Sequence, residues 1–352
     1  MNPHWTEIET PALLLDLDIA RRNLATMARR ASEMSVALRP HFKAHKSIEL
    51  ARLQVEAGAV GLTVATAAEA MALIDAGIDD VLVANQIVQE AQIEKLAAAS
   101  GAARIRTLVD DPTNLQSIGA IARSTGGEIG VLIEIDTGLG RCGTRSLEQA
   151  RELALLALDL DGIRLDGAST YEGHCARIRN PEERSARTTE AIDEMARTVE
   201  ALRAEDIDLP VVSAGATSTH LITGNHPRVT EIQPGSYLLM DLLKRSLVSD
   251  FQVALTVAGT VISRQGDRCV LDCGLKAISS RQEPSLLCDN LGTVASVDEE
   301  HLRFDARGPA PQIDQRVRVL PGHAPLTINL YDRFHVVSEE MVIHEWPVAS
   351  RR

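Results

Sequence analysis

The chain has 352 residues, of which 45% are hydrophobic and 24% charged, and its formal net charge is −13. This length suffices for about two domains, and this composition excludes an intrinsically disordered chain. The acidic balance and an aromatic content of only 3% argue against a nucleic-acid or anionic-membrane partner. No apolar run approaches the length of about 18 residues that a membrane-spanning helix needs.

Eight short aliphatic runs in the first two-thirds of the chain are predicted to be strands. They are Ala12–Leu17, Ala37–Lys43, Val60–Ala65, Asp80–Ala84, Arg104–Val109, Ile129–Asp136, Leu165–Tyr171 and Pro210–Ala214. The segments between them, such as 19–35 and 66–76, have the residue spacing of amphipathic helices. This alternation predicts an α/β fold, namely a (β/α)8 barrel of the TIM type, with a doubly wound open sheet as the alternative.

The sequence pattern changes after Leu243. Segments 253–264, 268–272 and 315–320 have the pattern of long antiparallel strands, with Gly and Pro between them. The sequence therefore predicts a barrel domain over residues 1–243 and a C-terminal antiparallel β domain over residues 244–352. This division leaves open whether the N-terminal strand packs with the β domain.

Lysine is scarce in this chain. Five lysines stand against 31 arginines, and two of the five, Lys43 and Lys46, share one short segment. Lys43 would end a buried strand at the carboxyl edge of the barrel, where barrel enzymes place their chemistry. Burial lowers the pKa of an ammonium group, and a neutral amine can form a Schiff base. Lys43 is thus a candidate nucleophile, with a structural lysine paired to a carboxylate as the alternative.

Two later segments are candidates for phosphate binding. The stretch 213–219 is small and rich in hydroxyl groups, and the stretch 233–237 follows it closely. Main-chain N–H groups and hydroxyls in such loops can bind a phosphate, although the same composition also forms ordinary turns. Arg141, after the sixth predicted strand, is a candidate fixed cation, with a structural salt bridge as an equally common use.

The five cysteines include no Cys-x-x-Cys pair. This number and spacing argue against a disulfide framework and predict a cytoplasmic protein.

Together these segments resemble the fold-type III pyridoxal phosphate enzymes, specifically the D-threonine aldolase and D-serine dehydratase-like family. The matching segments are 10–16, 39–46, 69–70, 85–88, 140–143, 171–174, 230–237, 272–277, 300–301 and 329–332. The lysine motif at 39–46 and the Pro-Gly-Ser-Tyr segment at 234–237 are specific in combination. The resemblance covers nearly the whole chain.

The resemblance implies that Lys43 binds pyridoxal 5'-phosphate covalently and that Arg141 faces the pyridine nitrogen, with Tyr171 as a further cofactor-binding residue. It assigns the phosphate to Ser213, Gly215, Ala216, Thr217, Gly235, Ser236 and Tyr237. It also implies a small amino-acid substrate, and a β domain that closes over the site in a homodimer.

Family members carry a His-x-Asp or His-x-Cys pair that binds a divalent metal ion near the substrate hydroxyl. Here the segment reads His323-Ala324-Pro325. Proline has no side-chain ligand, so His323 alone should bind a metal ion poorly. The sequence therefore places metal dependence in doubt.

The leading hypothesis is a pyridoxal phosphate-dependent aldolase that cleaves a D-β-hydroxy-α-amino acid to glycine and an aldehyde by a retro-aldol reaction, with His174 or His323 as the base. A D-serine or D-hydroxyaspartate dehydratase is an alternative, but expulsion of hydroxide depends more strongly on a metal Lewis acid. An amino-acid racemase is a further alternative. A noncatalytic cofactor carrier is disfavoured by the C-terminal β domain.

Overall fold

The computed structural model describes residues 2–281 and 283–351. Its strands are β1 (Ala12–Asp16), β2 (Ala37–Leu38), β3 (Leu62–Val64), β4 (Asp80–Gln86), β5 (Arg104–Val109), β6 (Ile129–Glu134), β7 (Ile163–Ser169), β8 (Val211–Ala214), β9 (Glu231–Ile232), β10 (Leu255–Gln265), β11 (Arg268–Leu271), β12 (Leu286–Leu287), β13 (Gly292–Val297), β14 (Leu302–Ala306), β15 (Arg316–Leu320), β16 (Arg333–Ser338) and β17 (Met341–Pro347).

Its α-helices are α1 (Leu17–Glu33), α2 (Ile48–Glu56), α3 (Ala67–Asp75), α4 (Glu90–Ala99), α5 (Pro112–Ser124), α6 (Leu147–Asp159), α7 (Pro181–Arg203), α8 (His220–Gly224), α9 (Leu242–Leu247) and α10 (Ala324–Ile328). Contacts divide the chain into two compact units. The barrel unit comprises residues 27–43 and 50–235, and the sheet unit comprises the residues up to Thr26, residues 44–49 and the chain from Ser236 onward.

The barrel unit is built on an eight-stranded parallel sheet in the order β2-β9-β8-β7-β6-β5-β4-β3. The two end strands also meet, because the Val60 N–H donates to the Leu38 carbonyl at 2.9 Å and the Thr63 N–H donates to the Pro40 carbonyl at 2.8 Å. The sheet therefore closes on itself, and the predicted TIM-type barrel is confirmed. Because all strands run in parallel, their carboxyl ends lie at one edge, where the candidate site residues follow.

One predicted barrel strand is wrong. Residues 12–16 form β1 in the sheet unit, where this strand pairs antiparallel with β10 and parallel with β16. The remaining barrel strand is instead β9, which is two residues long and lies between β2 and β8. An apolar run shows that a strand is buried but does not specify its partner, and two residues are too few to show a period. The predicted phosphate segments therefore follow the seventh and eighth barrel strands.

The sheet unit holds a nine-stranded sheet with the main order β13-β14-β11-β10-β1-β16-β17, and β15 joins β12 to β10. The predicted antiparallel C-terminal β domain is confirmed, because the described strand pairs within it are antiparallel. The sheet as a whole is mixed because β1 joins it in parallel with β16. Trp5, Leu14 and Val337 pack together in its core. The unit boundary lies between Gly235 and Ser236. That residues 1–243 and 244–352 form the folding domains stays a prediction.

A chain of buried ion pairs links four strands of the barrel unit. Arg39 lies 2.7 Å from both Glu231 and Asp80. Arg106 lies 2.6 Å from Asp80 and 2.7 Å from Asp166. Arg39, Arg106, Glu231 and Asp166 are nearly fully buried and need charged partners, whereas Asp80, which joins the two arginines, is partly exposed.

Among the described residues, no helix has both the length and the apolar character needed to cross a membrane.

Candidate active site

Lys43 lies on the short 3-10 turn Phe42–Ala44, which follows the first barrel strand. Its amine lies 5.9 Å from the centre of the Tyr171 ring. The side chain remains accessible to solvent, but surrounding protein partly desolvates the ammonium group. This desolvation and the positive charge of Arg141 lower the pKa of Lys43 from 10.5 to about 8, against a smaller opposing effect of Glu69. The neutral fraction near physiological pH is therefore much greater than that of an ordinary lysine, and the neutral amine is a competent nucleophile.

We expect the Lys43 amine to titrate near pH 8, so that its acylation rate in protein freed of any carbonyl cofactor reaches half its maximum there. Replacing Arg141 with methionine removes a neighbouring positive charge and should raise this pKa. Arg187→Met changes an exposed arginine that pairs with Glu190 and should leave it unchanged. Acylation of Lys43 followed by mass spectrometry from pH 6 to pH 11 gives the measurement. An unchanged pKa of Lys43 in the Arg141→Met variant would contradict this account.

Arg141, in the loop after β6, is held by a buried carboxylate. One terminal nitrogen of its guanidinium lies 3.4 Å from Glu134, and its Cζ lies 5.4 Å from the centre of the Tyr171 ring. The Gln86 side-chain amide donates to the other oxygen of Glu134. Burial raises the pKa of Glu134 above its ordinary value, although Gln86 and Arg141 oppose this effect. No role for Glu134 was predicted from the sequence. This carboxylate orients Arg141, the cation that the sequence did predict.

A second feature of this loop is a group of potential metal ligands. Asp110, Glu134 and Cys142 have ligand atoms within 4.8 Å of one another, and in the ranges 2–281 and 283–351 this is the only such group of three. Burial and both carboxylates raise the pKa of the Cys142 thiol. The Asp110 carboxylate accepts the Gly143 N–H at 2.8 Å. We therefore interpret the group as polar support for the Arg141 loop.

Two glycines allow close packing in the loops after β6 and β7. A Cβ at Gly173 would lie 2.4 Å from the Tyr171 ring, and a Cβ at Gly138 would lie 3.3 Å from the His174 imidazole. These glycines therefore allow the tyrosine to fold back and the histidine to lie against the neighbouring loop. The segments that follow β6 and β7, both singled out in the sequence, therefore form one wall of the candidate site.

The segment 213–219 is organised by a buried carboxylate. Glu172 accepts the Gly215 N–H at 3.2 Å, the Thr219 hydroxyl at 2.6 Å and the Thr223 hydroxyl at 2.9 Å. Gly215 adopts a φ of +97°, which a residue with a side chain rarely adopts. Glu172 is 0% exposed, and these donors satisfy its buried oxygens. The sequence gave no role to this residue, because only the fold brings the loop after β8 onto it.

Other members of the predicted phosphate segment also have partners. The Ser213 hydroxyl donates to Glu231 at 2.7 Å, and the Ala216 N–H donates to the Thr219 hydroxyl at 2.9 Å. Thr217 is buried in the same loop, and its carbonyl lies 2.8 Å from Nδ1 of His220. Gly235 follows the eighth barrel strand. Hence the predicted barrel-unit residues do lie at the ends of adjacent strands.

The remaining predicted residues belong to the sheet unit. Ser236 begins this unit, and Tyr237 is fully buried with its ring 5.8 Å from that of Phe251. His323 caps α10, where its Nδ1 accepts the Leu326 N–H at 3.3 Å. In the part of the chain that the structure describes, no group of three potential metal ligands includes His323. Pro325, two positions further on, offers no side-chain ligand.

Residues 15–242 match the profile of the alanine racemase N-terminal domain, and residues 254–337 match that of a serine dehydratase domain. A D-threonine aldolase of Arthrobacter sp. is 33% identical over 98% of this chain and 93% of its own. The chain belongs to the D-threonine aldolase and D-serine dehydratase-like family.

Two further relatives show the range of this family. A 3-hydroxy-D-aspartate aldolase of Paracoccus denitrificans is 32% identical over 98% of this chain and 93% of its own. A D-threo-3-hydroxyaspartate dehydratase of Delftia sp. is 32% identical over 96% and 97%. The crystal structure of D-threonine aldolase from Filomicrobium marinum matches with a TM-score of 0.96 at 32% identity, covering 100% of this chain and 98% of that one. Aldolases and dehydratases are both lyases, and these relatives support lyase activity.

Proposed function

We propose that this protein is a pyridoxal phosphate-dependent aldolase that cleaves a D-β-hydroxy-α-amino acid, such as D-threonine, to glycine and an aldehyde. The observation that carries the proposal is the amine of Lys43, whose pKa of about 8 makes it nucleophilic beside Arg141 and Tyr171. Full-length similarity to a D-threonine aldolase supports the same reaction.

The residues at the barrel edge fit the cofactor. Lys43 supplies the amine for covalent attachment, and Arg141 supplies a permanent cation for the pyridine nitrogen. When bound, pyridoxal phosphate withdraws electrons from the substrate Cα. Because a guanidinium does not release its proton at accessible pH, Arg141 stabilises the ring nitrogen without protonating it.

The phosphate is assigned to the segments after the seventh and eighth barrel strands. The Gly215 N–H donates to Glu172 and the Ala216 N–H donates to the Thr219 hydroxyl, so these two residues shape the loop. Thr217 and the segment Gly235, Ser236 and Tyr237 follow the ends of two adjacent strands, where barrel enzymes commonly bind phosphate. Glu172 holds the first of these loops in place.

The reaction also needs a base that removes the proton of the substrate hydroxyl. His174 and His323 are the two candidates. We favour His174, because it lines the same pocket as Arg141 and Tyr171, and because Nδ1 of His323 serves as a helix cap. A neutral imidazole can act as a general base toward such a hydroxyl.

Dehydration is the second candidate function, and it is favoured by the similarity to the D-threo-3-hydroxyaspartate dehydratase. Dehydration expels the β-hydroxyl group as hydroxide, which requires strong activation of this leaving group. Retro-aldol cleavage only requires removal of the proton from the same hydroxyl. The poor fit of His323 and Pro325 to a metal centre therefore favours the aldolase. Racemisation, the homodimer and the cytoplasmic location stay predictions.

The test is to assay the purified protein, loaded with pyridoxal phosphate, on D-threonine, D-serine and D-alanine, with and without a chelator. We expect glycine and acetaldehyde from D-threonine, at a rate that the chelator leaves unchanged. A keto acid would identify a dehydratase, and the L-isomer a racemase. A chelator that abolished the activity would overturn our interpretation of Pro325.

A further inference from the structure

A second lysine, Lys46, follows Lys43 by three positions. Its backbone has a φ of +53°, a left-handed conformation that residues with a side chain rarely adopt. Such a conformation persists only where surrounding contacts hold it in place. The contacts of Lys46 therefore show what fixes the chain directly after the turn Phe42–Ala44, which carries Lys43.

Lys46 is held by the segment 348–351, within the sheet unit. The Lys46 carbonyl accepts the Ala349 N–H at 2.7 Å, and the Lys46 ammonium group donates to the Ser350 carbonyl at 3.1 Å. The same ammonium group donates to Oδ1 of Asn329, the residue after α10, at 3.4 Å. Both the backbone and the side chain of one residue are thus engaged. We call these three hydrogen bonds the Lys46 clasp.

The segment 348–351 is itself anchored in the sheet unit. It directly follows β17, which pairs antiparallel with β16 as far as Pro347. The Val348 N–H donates to the Asp332 carbonyl at 2.8 Å, and residues 348–350 are half-buried. The clasp therefore connects Lys46 to a hydrogen-bonded sheet.

The residues between the two lysines can transmit this constraint. Ala44 and His45 are both buried. Closely packed groups have little room to relax, so a displacement of the backbone at Lys46 is passed on to the turn Phe42–Ala44. This turn determines the direction in which the Lys43 side chain projects.

We propose that Lys46 is a positioning residue, and that the Lys46 clasp holds the Lys43 amine at the candidate site. The inference rests on the proposed function, in which Lys43 binds the cofactor. When the clasp is lost, the amine should move into solvent and away from the positive charge of Arg141. The pKa of Lys43 should then rise from about 8 toward its ordinary value of 10.5, against the smaller effect of Glu69.

The test is acylation of Lys43 in cofactor-free protein, followed by mass spectrometry from pH 6 to pH 11. Ala349→Pro removes the N–H that donates to the Lys46 carbonyl, and Lys46→Met removes the ammonium group. We expect each substitution to raise the pH at half-maximal acylation by about half a unit or more. Ala349→Ser keeps the N–H, and Lys276→Met changes an exposed lysine that pairs with Glu300. Both control variants should titrate as the wild type does.

A double variant tests whether the hydrogen bonds act as one clasp. Because Ala349→Pro and Lys46→Met disrupt the same set of contacts, their combined shift should be smaller than the sum of the single shifts. Hydrogen exchange in residues 44–49 should be faster in each single variant than in the wild type. A fully additive shift would mean two independent contacts and would overturn the proposal.

A merely structural role for Lys46 would lower the free energy of unfolding and leave the titration of Lys43 unchanged, which would also overturn the proposal. If one variant does not fold, the titration of the other decides. None of these measurements uses a substrate, so they are separate from the test of the proposed function. If the titration shifts but the wild type cleaves no β-hydroxy-D-amino acid, the proposed function fails and the positioning role stands. If the wild type cleaves D-threonine but the titration does not shift, the positioning role fails.

Discussion

Replacing Lys43 with alanine is expected to lower turnover of a β-hydroxy-D-amino acid by about 10⁴-fold or more. The reason is that the described barrel edge presents this amine beside Arg141 and Tyr171, with a pKa of about 8. Without the amine, pyridoxal phosphate would no longer be attached to the chain. Treatment with borohydride should therefore label Lys43 in the wild type and nothing at this position in the variant.

Two further variants sharpen this test. Lys43→Arg keeps a positive charge but has no neutral amine at accessible pH, so it should be as inactive as Lys43→Ala. Lys276→Ala removes an exposed lysine that pairs with Glu299 and Glu300, and its activity should equal that of the wild type. Substantial turnover by Lys43→Arg would mean that charge, and not covalent attachment, is the role of this residue.

The Asp166→Asn substitution is expected to lower the free energy of unfolding by about 3–5 kcal/mol. The Asp166 carboxylate accepts hydrogen bonds from Nε of Arg106 and Nε of Arg164, each at 2.7 Å, and the Asp166 side chain is 4% exposed. Asparagine keeps the shape but removes the charge, and it leaves the buried Arg106 with Asp80 alone. Chemical denaturation with urea gives the measurement. Asp305→Asn, in an exposed pair with Arg268, should cost less than about 1 kcal/mol.

The same residue should make stability depend on pH in the acid range. Burial alone would raise the pKa of Asp166, but Arg164, Arg106 and Arg104 together lower it below its ordinary value of 3.8. The folded state therefore binds this proton less readily than the unfolded state. The stabilisation is present at neutral pH and is lost as the pH falls through the folded-state pKa. Asp166→Asn should flatten this part of the stability profile; an unchanged profile would show that other carboxylates cause it.

A glycine in β6 and one directly before β3 make room for this network. A Cβ at Gly130 would lie 2.5 Å from the Asp166 carboxylate, and a Cβ at Gly61 would lie 2.4 Å from the Arg39 guanidinium. In the sequence these glycines only interrupt apolar runs. The structure shows that they leave the space in which buried charges can pair. A buried arginine that finds two carboxylates is recognisable only once its neighbouring strands are known.

The strands of the barrel were predictable because each alternates with a helix and is aliphatic over several residues. The exceptions have a physical explanation. Residues 12–16 are as apolar as a barrel strand, but their partners in β10 and β16 lie more than 230 residues further along the chain. The strand at 231–232 contains a glutamate, whose burial depends on Arg39 and the Ser213 hydroxyl as partners. A local sequence pattern indicates neither the distant strands that pair with residues 12–16 nor the arginine that pairs with the glutamate.

For the candidate site, the sequence by itself determined the chemical groups: a rare lysine at a strand end, an arginine after another strand, a hydroxyl-rich loop, and a proline in place of a metal ligand. The tertiary structure decided how these groups act. It placed Arg141 close enough to lower the pKa of Lys43, and put Glu134 and Glu172 beneath the two loops. The physical reason is that pKa values, hydrogen bonds and unbalanced charges depend on distances of a few ångströms between residues remote in sequence, whereas the identity of a nucleophile or a missing ligand is written in a single position.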